Sequence, residues 1–113
     1  MHEVALAQGI VDIVTDRSGR DGFERATVVH VELGALSNVV PDALLFGFQS
    51  ASVGTAAEGA RLEFTHRPGT GWCLDCSAEV KVPSRVASCP MCGGVKWVVT
   101  SGEQMRVTEL EVD

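Results

Sequence analysis

The chain has 113 residues, 45% of them hydrophobic, a length that supports one small core and excludes two large independent ones. Nine Lys and Arg against fifteen Asp and Glu give a formal net charge of -6, which argues against sequence-independent binding of nucleic acid. The chain contains no apolar stretch of about 18 residues and no charged start followed by an apolar run. We therefore expect a soluble, cytoplasmic protein without a membrane segment.

The first predicted element is a helix from residue 1 to about Asp16. Apolar side chains recur there at intervals of three and four residues, as one face of a helix requires. These positions are Val4, Ala7, Ile10, Val11 and Val14. Ser, Gly and Asp residues between 18 and 22 predict the end of this helix, with a connecting loop over about 17–23.

A strand and a second helix are predicted next. Residues 25–33 are rich in Val and alternate in the manner of a half-buried strand, and Gly34 is predicted to end it. The second helix is predicted to begin at Pro41, where the missing N–H costs nothing, with Asp42 at the positive end of the helix dipole. Its apolar face is predicted to contain Leu44, Leu45 and Phe48.

The rest of the chain is predicted to be β-rich around the cysteines. A strand is expected over about 60–66, and Pro68, Gly69 and Gly71 are interpreted as a connection. Residues 96–100 and 104–112 predict two more strands, the last returning to the first sheet. The predicted fold is α+β, a small mixed three-stranded sheet with two helices plus an inserted zinc-ribbon module. We expect one domain at 1–68 with 103–113, and a zinc module at 69–102.

The four cysteines predict one structural zinc ion. Cys73 and Cys76 form one C-x2-C pair, and Cys89 and Cys92 form a second after 12 intervening residues. This spacing lets both thiolates of each pair reach one tetrahedral ion, although the usual separation of the pairs is about 15 to 20 residues. Gly93-Gly94 suits a tight turn after the second pair, whereas Ser77 follows the first.

Other uses of four cysteines fit this pattern less well. Two disulfides are disfavoured in a cytoplasmic chain, and a redox C-x-x-C motif needs only one pair. An iron–sulfur cluster is the remaining alternative. Because four thiolates leave no coordination position for water, the predicted zinc stabilises structure and does not catalyse a reaction.

A second candidate metal site is the amino terminus, Met1-His2-Glu3. The α-amine, the His2 amide nitrogen and the His2 imidazole can surround Ni(II) or Cu(II), which favour tetragonal nitrogen ligation. Glu3 adds an oxygen or a further amide nitrogen. By itself this tripeptide is weak evidence, and an ordinary exposed terminus explains it better. His30 and His66 are interpreted as ordinary strand residues.

The sequence resembles the HypA/HybF family of nickel-insertion accessory proteins for [NiFe] hydrogenase maturation. The resemblance covers nearly the whole chain. It includes Met1-His2-Glu3, Glu32-Leu33-Gly34, Pro41-Asp42-Ala43-Leu44 leading to Phe48, the four cysteines, and Glu109-Leu110-Glu111-Val112. Gln49 departs from the carboxylate that members often carry at this position.

The resemblance implies a metallochaperone that is not an enzyme. It implies transferred Ni(II) at His2, with Met1 and Glu3 as neighbouring ligands, and structural Zn(II) in a separate module. The implied partners are a HypB-type GTPase and the hydrogenase large subunit, and in some members the urease maturation factors. The oligomeric state stays open between monomer and homodimer.

The competing interpretation is a zinc-ribbon module that binds protein or nucleic acid and transfers no nickel. The four cysteines alone support it equally well, whereas the acidic charge argues against a nucleic-acid partner. An enzyme is less well supported, because the sequence contains no recognisable nucleophile arrangement, phosphate-binding loop or zinc site with an open position.

Overall fold

The computed structural model describes residues 2–113, which form two helices and six strands. In chain order these are α1 His2–Asp21, β1 Ala26–Gly34, α2 Pro41–Ala51, β2 Arg61–Arg67, β3 Gly69–Cys73, β4 Ala78–Val82, β5 Trp97–Ser101 and β6 Met105–Val112. The strands form two three-stranded sheets, in the orders β2-β1-β6 and β4-β3-β5. The predicted α+β fold with a separate cysteine module is therefore confirmed. Within residues 2–113, neither helix has the length and apolar character needed to cross a membrane.

The last strand returns to the first sheet, as predicted. The Gly34 N–H, at the end of β1, donates to the Gln104 carbonyl just before β6 at 2.9 Å. At the other end, the Asp113 N–H donates to the Arg25 carbonyl at 3.1 Å. The start of one strand therefore meets the end of the other, and β1 and β6 are antiparallel.

Strand β2 runs in the same direction as β1, which makes the sheet mixed. The Ala35 N–H, just after β1, donates to the carbonyl of Arg67 at the end of β2 at 2.9 Å. At the other end, the N–H of Ala26, the first residue of β1, donates to the carbonyl of Ala56, which precedes β2 in the chain, also at 2.9 Å. The parallel pair needs a crossover, and α2 supplies it.

The chain divides into two compact units. The first comprises the described residues to Val31 with Val39–Phe64 and Val107–Asp113, and the second comprises Glu32–Asn38 with Thr65–Arg106. The first unit has a core of buried aliphatic side chains, with Phe48 among the largest. The sequence-based division assigns nickel to a domain of residues 1–68 with 103–113, and zinc to a module of residues 69–102. This division stays a prediction.

Helix α1 is longer than predicted, because it continues from Asp16 to Asp21. The Arg17 guanidinium lies 3.2 Å from the Asp21 carboxylate, a spacing of four residues that supports the last turn. The helix ends where Gly22 takes a φ of +80° and its N–H donates to the Ser18 carbonyl at 3.0 Å. The polar residues taken as a loop thus form one more turn of helix, and only Gly22 stops it.

Strand β3 is absent from the sequence-based prediction, because its glycines were interpreted as a connection. A Cβ at Gly71 would lie 2.5 Å from Cε3 of Trp97, so this glycine permits close packing of β3 against β5. Residues from Gly69 to Cys73 pair with β4 in antiparallel register, and the strand delivers Cys73 at its end.

Candidate metal centres

The four predicted zinc ligands lie together. The Sγ atoms of Cys73, Cys76, Cys89 and Cys92 all lie within 4.8 Å of one another. Two separations, Cys73 to Cys92 at 3.7 Å and Cys76 to Cys89 at 3.9 Å, match the edge of about 3.8 Å expected for a tetrahedron with Zn–S bonds of about 2.3 Å. All four cysteines are free, so this is the geometry of a zinc site and not of two disulfides.

Two similar turns present these sulfurs. The residue after the second cysteine of each pair has a positive φ, +50° at Ser77 and +72° at Gly93. The sequence suggested this turn only after the second pair, because serine adopts a positive φ less readily than glycine. The structure corrects that expectation, since both pairs end in the same kind of turn.

Backbone N–H groups in these turns point at the sulfurs. Cys73 Sγ accepts from the Cys76 amide, and Cys89 Sγ accepts from the Met91 amide, both at 3.4 Å. In the same way, the Gly94 amide donates to the sulfur of Cys92 at 3.4 Å. Such bonds favour thiolates and orient them toward a shared metal.

The pKa values of the thiols differ because of their surroundings. The Cys92 backbone amide, assisted by that of Met91, lowers the pKa of Cys89 to about 7. The neighbouring sulfur of Cys92, followed by that of Cys73, raises the pKa of Cys76 to about 12. Four thiolates this close repel one another unless a cation lies between them, so the donor set fits Zn(II).

The thiols are also part of the hydrophobic core of the second unit. Cys73 and Cys89 are fully buried. They pack with Leu36, Val80 and Val82, and with the partly buried Cys76, Ala87, Trp97 and Val99. The Trp97 indole N–H donates to the Ala87 carbonyl at 2.9 Å, which ties β5 to the chain before the second cysteine pair. A metal at these sulfurs would crosslink the centre of this unit.

The predicted nickel ligand His2 is the first residue of α1, and its side chain is 58% exposed. The Nδ1 atom of His2 lies 3.9 Å from Oε2 of Glu3, so the structure brings these two predicted ligands together. The same Glu3 oxygen accepts the Val40 N–H at 3.3 Å, at the beginning of α2. The third predicted ligand, Met1, lies outside the described residues.

Close helix packing supports this first turn. A Cβ at Gly47 of α2 would lie 3.3 Å from the Ala7 Cβ and 3.7 Å from the Glu3 carbonyl oxygen, so glycine lets the helices approach here. The backbone N–H of Glu3 itself, followed by that of Val40, lowers the pKa of the Glu3 carboxyl. Glu3 therefore presents a carboxylate beside an exposed imidazole.

A third group of potential ligands was missed in the sequence. Nε2 of His30 on β1 lies 2.7 Å from Oε2 of Glu111 and 3.7 Å from Oε2 of Glu109, both on β6. His30 was interpreted as an ordinary strand residue because the pairing partner of β1 at that position was unknown. The signal in the sequence is the pair of acids two residues apart, which project from one side of a strand.

Comparison with known proteins identifies the chain's relatives. A family model described as "Hydrogenase/urease nickel incorporation, metallochaperone, hypA" matches residues 1–112. The chain belongs to the HypA family. The family's function is nickel incorporation as a metallochaperone in hydrogenase maturation.

Similar proteins match along their whole length. "Hydrogenase maturation factor HypA 2" of Bradyrhizobium diazoefficiens is 49% identical, and the match covers 100% of both chains. "Hydrogenase maturation factor HypA" of Albidiferax ferrireducens is 42% identical with the same coverage. The solution structure of the Ni metallochaperone HypA from Helicobacter pylori is 18% identical, with a TM-score of 0.66 over 97% of this chain and 96% of that one. At this identity, the likeness supports the fold alone.

Proposed function

We propose that this HypA protein binds Ni(II) at its amino terminus through His2 and delivers it to the [NiFe] hydrogenase large subunit during maturation. The observation that carries this proposal is the exposed His2 beside Glu3, at the first turn of α1, in a chain that matches the nickel metallochaperone family over residues 1–112. In the proposed arrangement, Cys73, Cys76, Cys89 and Cys92 hold a structural zinc ion.

The position of His2 in the helix suits nickel ligation by backbone nitrogen. The first four N–H groups of a helix have no backbone acceptor within the helix, so using the His2 amide as a ligand breaks no hydrogen bond of the helix backbone. An amide nitrogen and the adjacent imidazole then close a chelate ring around the ion. Nitrogen donors in this arrangement favour the square-planar geometry that Ni(II) adopts.

Glu3 and Met1 complete the proposed ligand set. One Glu3 carboxylate oxygen lies near the His2 ring and accepts the Val40 N–H, which holds the carboxylate toward the imidazole. In this proposal the α-amine of Met1 supplies another nitrogen. Glu3 either binds nickel directly or stabilises its positive charge from the side.

Zinc supplies the positive charge that four close thiolates need, and it fixes the two turns of the second unit. The buried Cys73 and Cys89 hold that metal inside the core, whereas His2 holds nickel at a surface. Exchange of nickel with a partner then requires no opening of the core. We propose no catalysis, because transfer of a bound ion needs no reaction of the chain's own groups.

The proposed partners follow from the family's role. A HypB-type GTPase and the hydrogenase large subunit are the expected partners, and urease maturation factors are a further client because the family description includes urease. We place the transfer in the cytoplasm and expect a monomer or a homodimer. The alternative, a zinc-ribbon interaction module without nickel transfer, is disfavoured by the family match along the chain.

Nickel titration of untagged, zinc-loaded protein tests the terminal site. We expect His2→Ala to lower the Ni(II) affinity at least about 100-fold, because it removes the imidazole of the chelate. His66→Ala is the matched control, since His66 is an exposed strand histidine outside the proposed site. An unchanged nickel affinity in His2→Ala, or an equal loss in His66→Ala, would contradict the proposal.

A second variant isolates the role of the terminal amine. Adding one residue before Met1 keeps His2 and Glu3 but moves the free amine away from the imidazole. We expect weaker nickel binding with unchanged zinc content, measured by isothermal titration and metal analysis. Full nickel affinity in the extended protein would remove the Met1 amine from the ligand set.

A further inference from the structure

We propose that His30, Glu109 and Glu111 form a second, exchangeable site for a divalent transition-metal cation on the sheet of the first unit. One imidazole nitrogen and two carboxylate oxygens converge there, all within 4.8 Å of one another. The site uses neither the terminal residues nor the cysteines. It therefore stands independently of the proposed nickel terminus.

The two strands hold the three side chains in register. The Thr108 hydroxyl donates to the His30 carbonyl at 3.4 Å, and the Thr27 hydroxyl donates to the Glu111 carbonyl at 3.1 Å. These bonds fix β6 against β1, the central strand of its sheet. His30 is partly buried, with 29% of its side chain exposed, so its ring is the anchored ligand.

The carboxylates are the adjustable ligands. The side chains of Glu109 and Glu111 are 69% and 55% exposed, so both are free to rotate toward an ion. A cation with bonds of about 2.1 Å needs neighbouring ligand atoms about 3.0 to 3.4 Å apart. Nε2 of His30 lies 2.7 Å from Oε2 of Glu111 and 3.7 Å from Oε2 of Glu109, one distance below that range and one above it.

Charge also favours a cation at this position. The neighbouring acid on β1, Glu32, already pairs with two arginines, Arg67 at 3.2 Å and Arg106 at 3.7 Å. Within residues 2–113, the ion pairs of Glu109 and Glu111 are with His30 alone. The two carboxylates carry more negative charge than one imidazole can balance, and a divalent cation would supply the remaining positive charge.

The donor set indicates the class of metal. One nitrogen and two oxygens suit Ni(II), Co(II) or Zn(II), and the absence of thiolate makes the site weaker than the four-cysteine cluster. Three protein ligands leave positions for water, so the bound ion exchanges with solvent. The alternative is a simple ion pair between His30 and the two acids, which binds no metal.

Nickel alone, added to the zinc-loaded His2→Ala protein, tests the site. We expect this variant still to bind one Ni(II) ion with low affinity. The bound ion should broaden the NMR signals of His30, Glu109 and Glu111 by paramagnetic relaxation. Replacing both acids, Glu109→Gln with Glu111→Gln, keeps their shape and is expected to lower this residual affinity at least tenfold. Circular dichroism of the double variant checks that the fold is retained.

His66→Ala in the same His2→Ala background is the matched control, and it should leave the broadening at His30 unchanged. The site is refuted if no residual nickel binds, if the broadening centres elsewhere, or if the double glutamine variant binds nickel as before. A failure of the terminal site would appear separately, as unchanged nickel affinity on substitution of His2 alone.

Discussion

The two predicted metal sites differ in donor, in exposure and in what surrounds them. His2 lies at the first turn of a helix, with its imidazole largely exposed beside one carboxylate. The four sulfurs lie at the ends of strands and turns, and Cys73 and Cys89 belong to the core of the second unit. The first arrangement suits an ion that must leave, and the second suits an ion that must stay. A carrier of nickel needs both properties in different places.

The two sites also differ in what they contribute to folding. Removing a ligand from the exposed terminus leaves the core of the first unit intact, because that core consists of aliphatic side chains and Phe48. Removing a ligand from the thiol cluster removes part of the core itself. We therefore expect the loss of a thiol ligand to unfold the second unit and to leave the first unit folded.

The largest expected effect is that of Cys73→Ser. This variant should lose its zinc and the fixed structure of the second unit, because a buried ligand is replaced by a poor one. Both tryptophans of the chain, Trp72 and Trp97, lie in β3 and β5, so tryptophan fluorescence reports this unit. Helical circular dichroism should persist, because both helices belong to the first unit.

Met91→Ala is the matched control for this variant. Met91 lies between the second pair of cysteines, and the residue is 70% exposed. It should keep both its zinc and its fluorescence spectrum. One tightly bound zinc per chain in Cys73→Ser would rule out the four-thiolate site.

The next effect is the pH dependence of zinc uptake. Zinc binds thiolates, so each thiol that is protonated before binding must release a proton, and the zinc affinity falls as the pH falls. The pKa of Cys89 is lowered to about 7, so this thiol carries a proton to release on zinc binding only when the pH is below about 7. Cys76, with its pKa raised to about 12, releases one throughout the neutral range.

The number of protons released per zinc should therefore be about one larger at pH 6 than at pH 8. Zinc added to metal-free protein in a weak buffer, with the released acid titrated, gives this number directly. The same number at both pH values would contradict the lowered pKa of Cys89.

A smaller effect is expected from Gly69→Ala in the second unit. The added Cβ would lie 2.7 Å from the Val82 carbonyl oxygen and 2.5 Å from the Leu36 side chain, so backbone must move. We expect the free energy of unfolding to fall by about 1 to 3 kcal/mol, measured by urea denaturation with tryptophan fluorescence. A urea midpoint of unfolding equal to that of the parent protein would show that an added methyl group at Gly69 is accommodated without strain.

The smallest effect is expected from Gly9→Ala in the first unit, with the opposite sign. An added Cβ at Gly9 meets nothing within 4 Å, and the residue lies inside α1. Alanine should stabilise the helix by about 0.5 to 1 kcal/mol, because glycine loses more backbone entropy on folding. Thermal unfolding, followed by helical circular dichroism, measures this stabilisation. A less stable variant would contradict the finding that an added Cβ at Gly9 meets no neighbouring atom.

Several features of the fold and of the thiol cluster can be predicted from the sequence. Cysteine spacing predicts the thiol cluster because each C-x2-C pair is formed by residues close together in the sequence. The two-residue gap places both thiolates of a pair within reach of one ion. Pro41 predicts the start of α2 correctly, and the run from residue 104 predicts the returning strand. Each of these features depends on residues close together in the sequence, or on a clear alternation of apolar and polar residues along a strand.

Features that depend on partners distant in sequence were missed. Gly71 reads as a break, although it is a close contact with Trp97 across the sheet. His30 reads as an ordinary strand residue until β6 brings Glu111 within 2.7 Å of its ring. The end of α1 was misplaced for a different reason, because Ser18 and Gly19 are weak helix formers that i,i+4 ion pairs sustain.

The central claim is that a released metal and a retained metal occupy different sites of one chain. Its most direct test is equilibrium dialysis of the zinc-loaded wild type against Ni(II) near the protein concentration, with both metals quantified. We expect one tightly bound nickel per chain with zinc unchanged, because the weaker site at His30 stays largely empty at this nickel concentration. We also expect loss of nickel alone when free histidine is added as a competing ligand. Zinc displaced in proportion to the nickel bound, or release of both metals together, would contradict it.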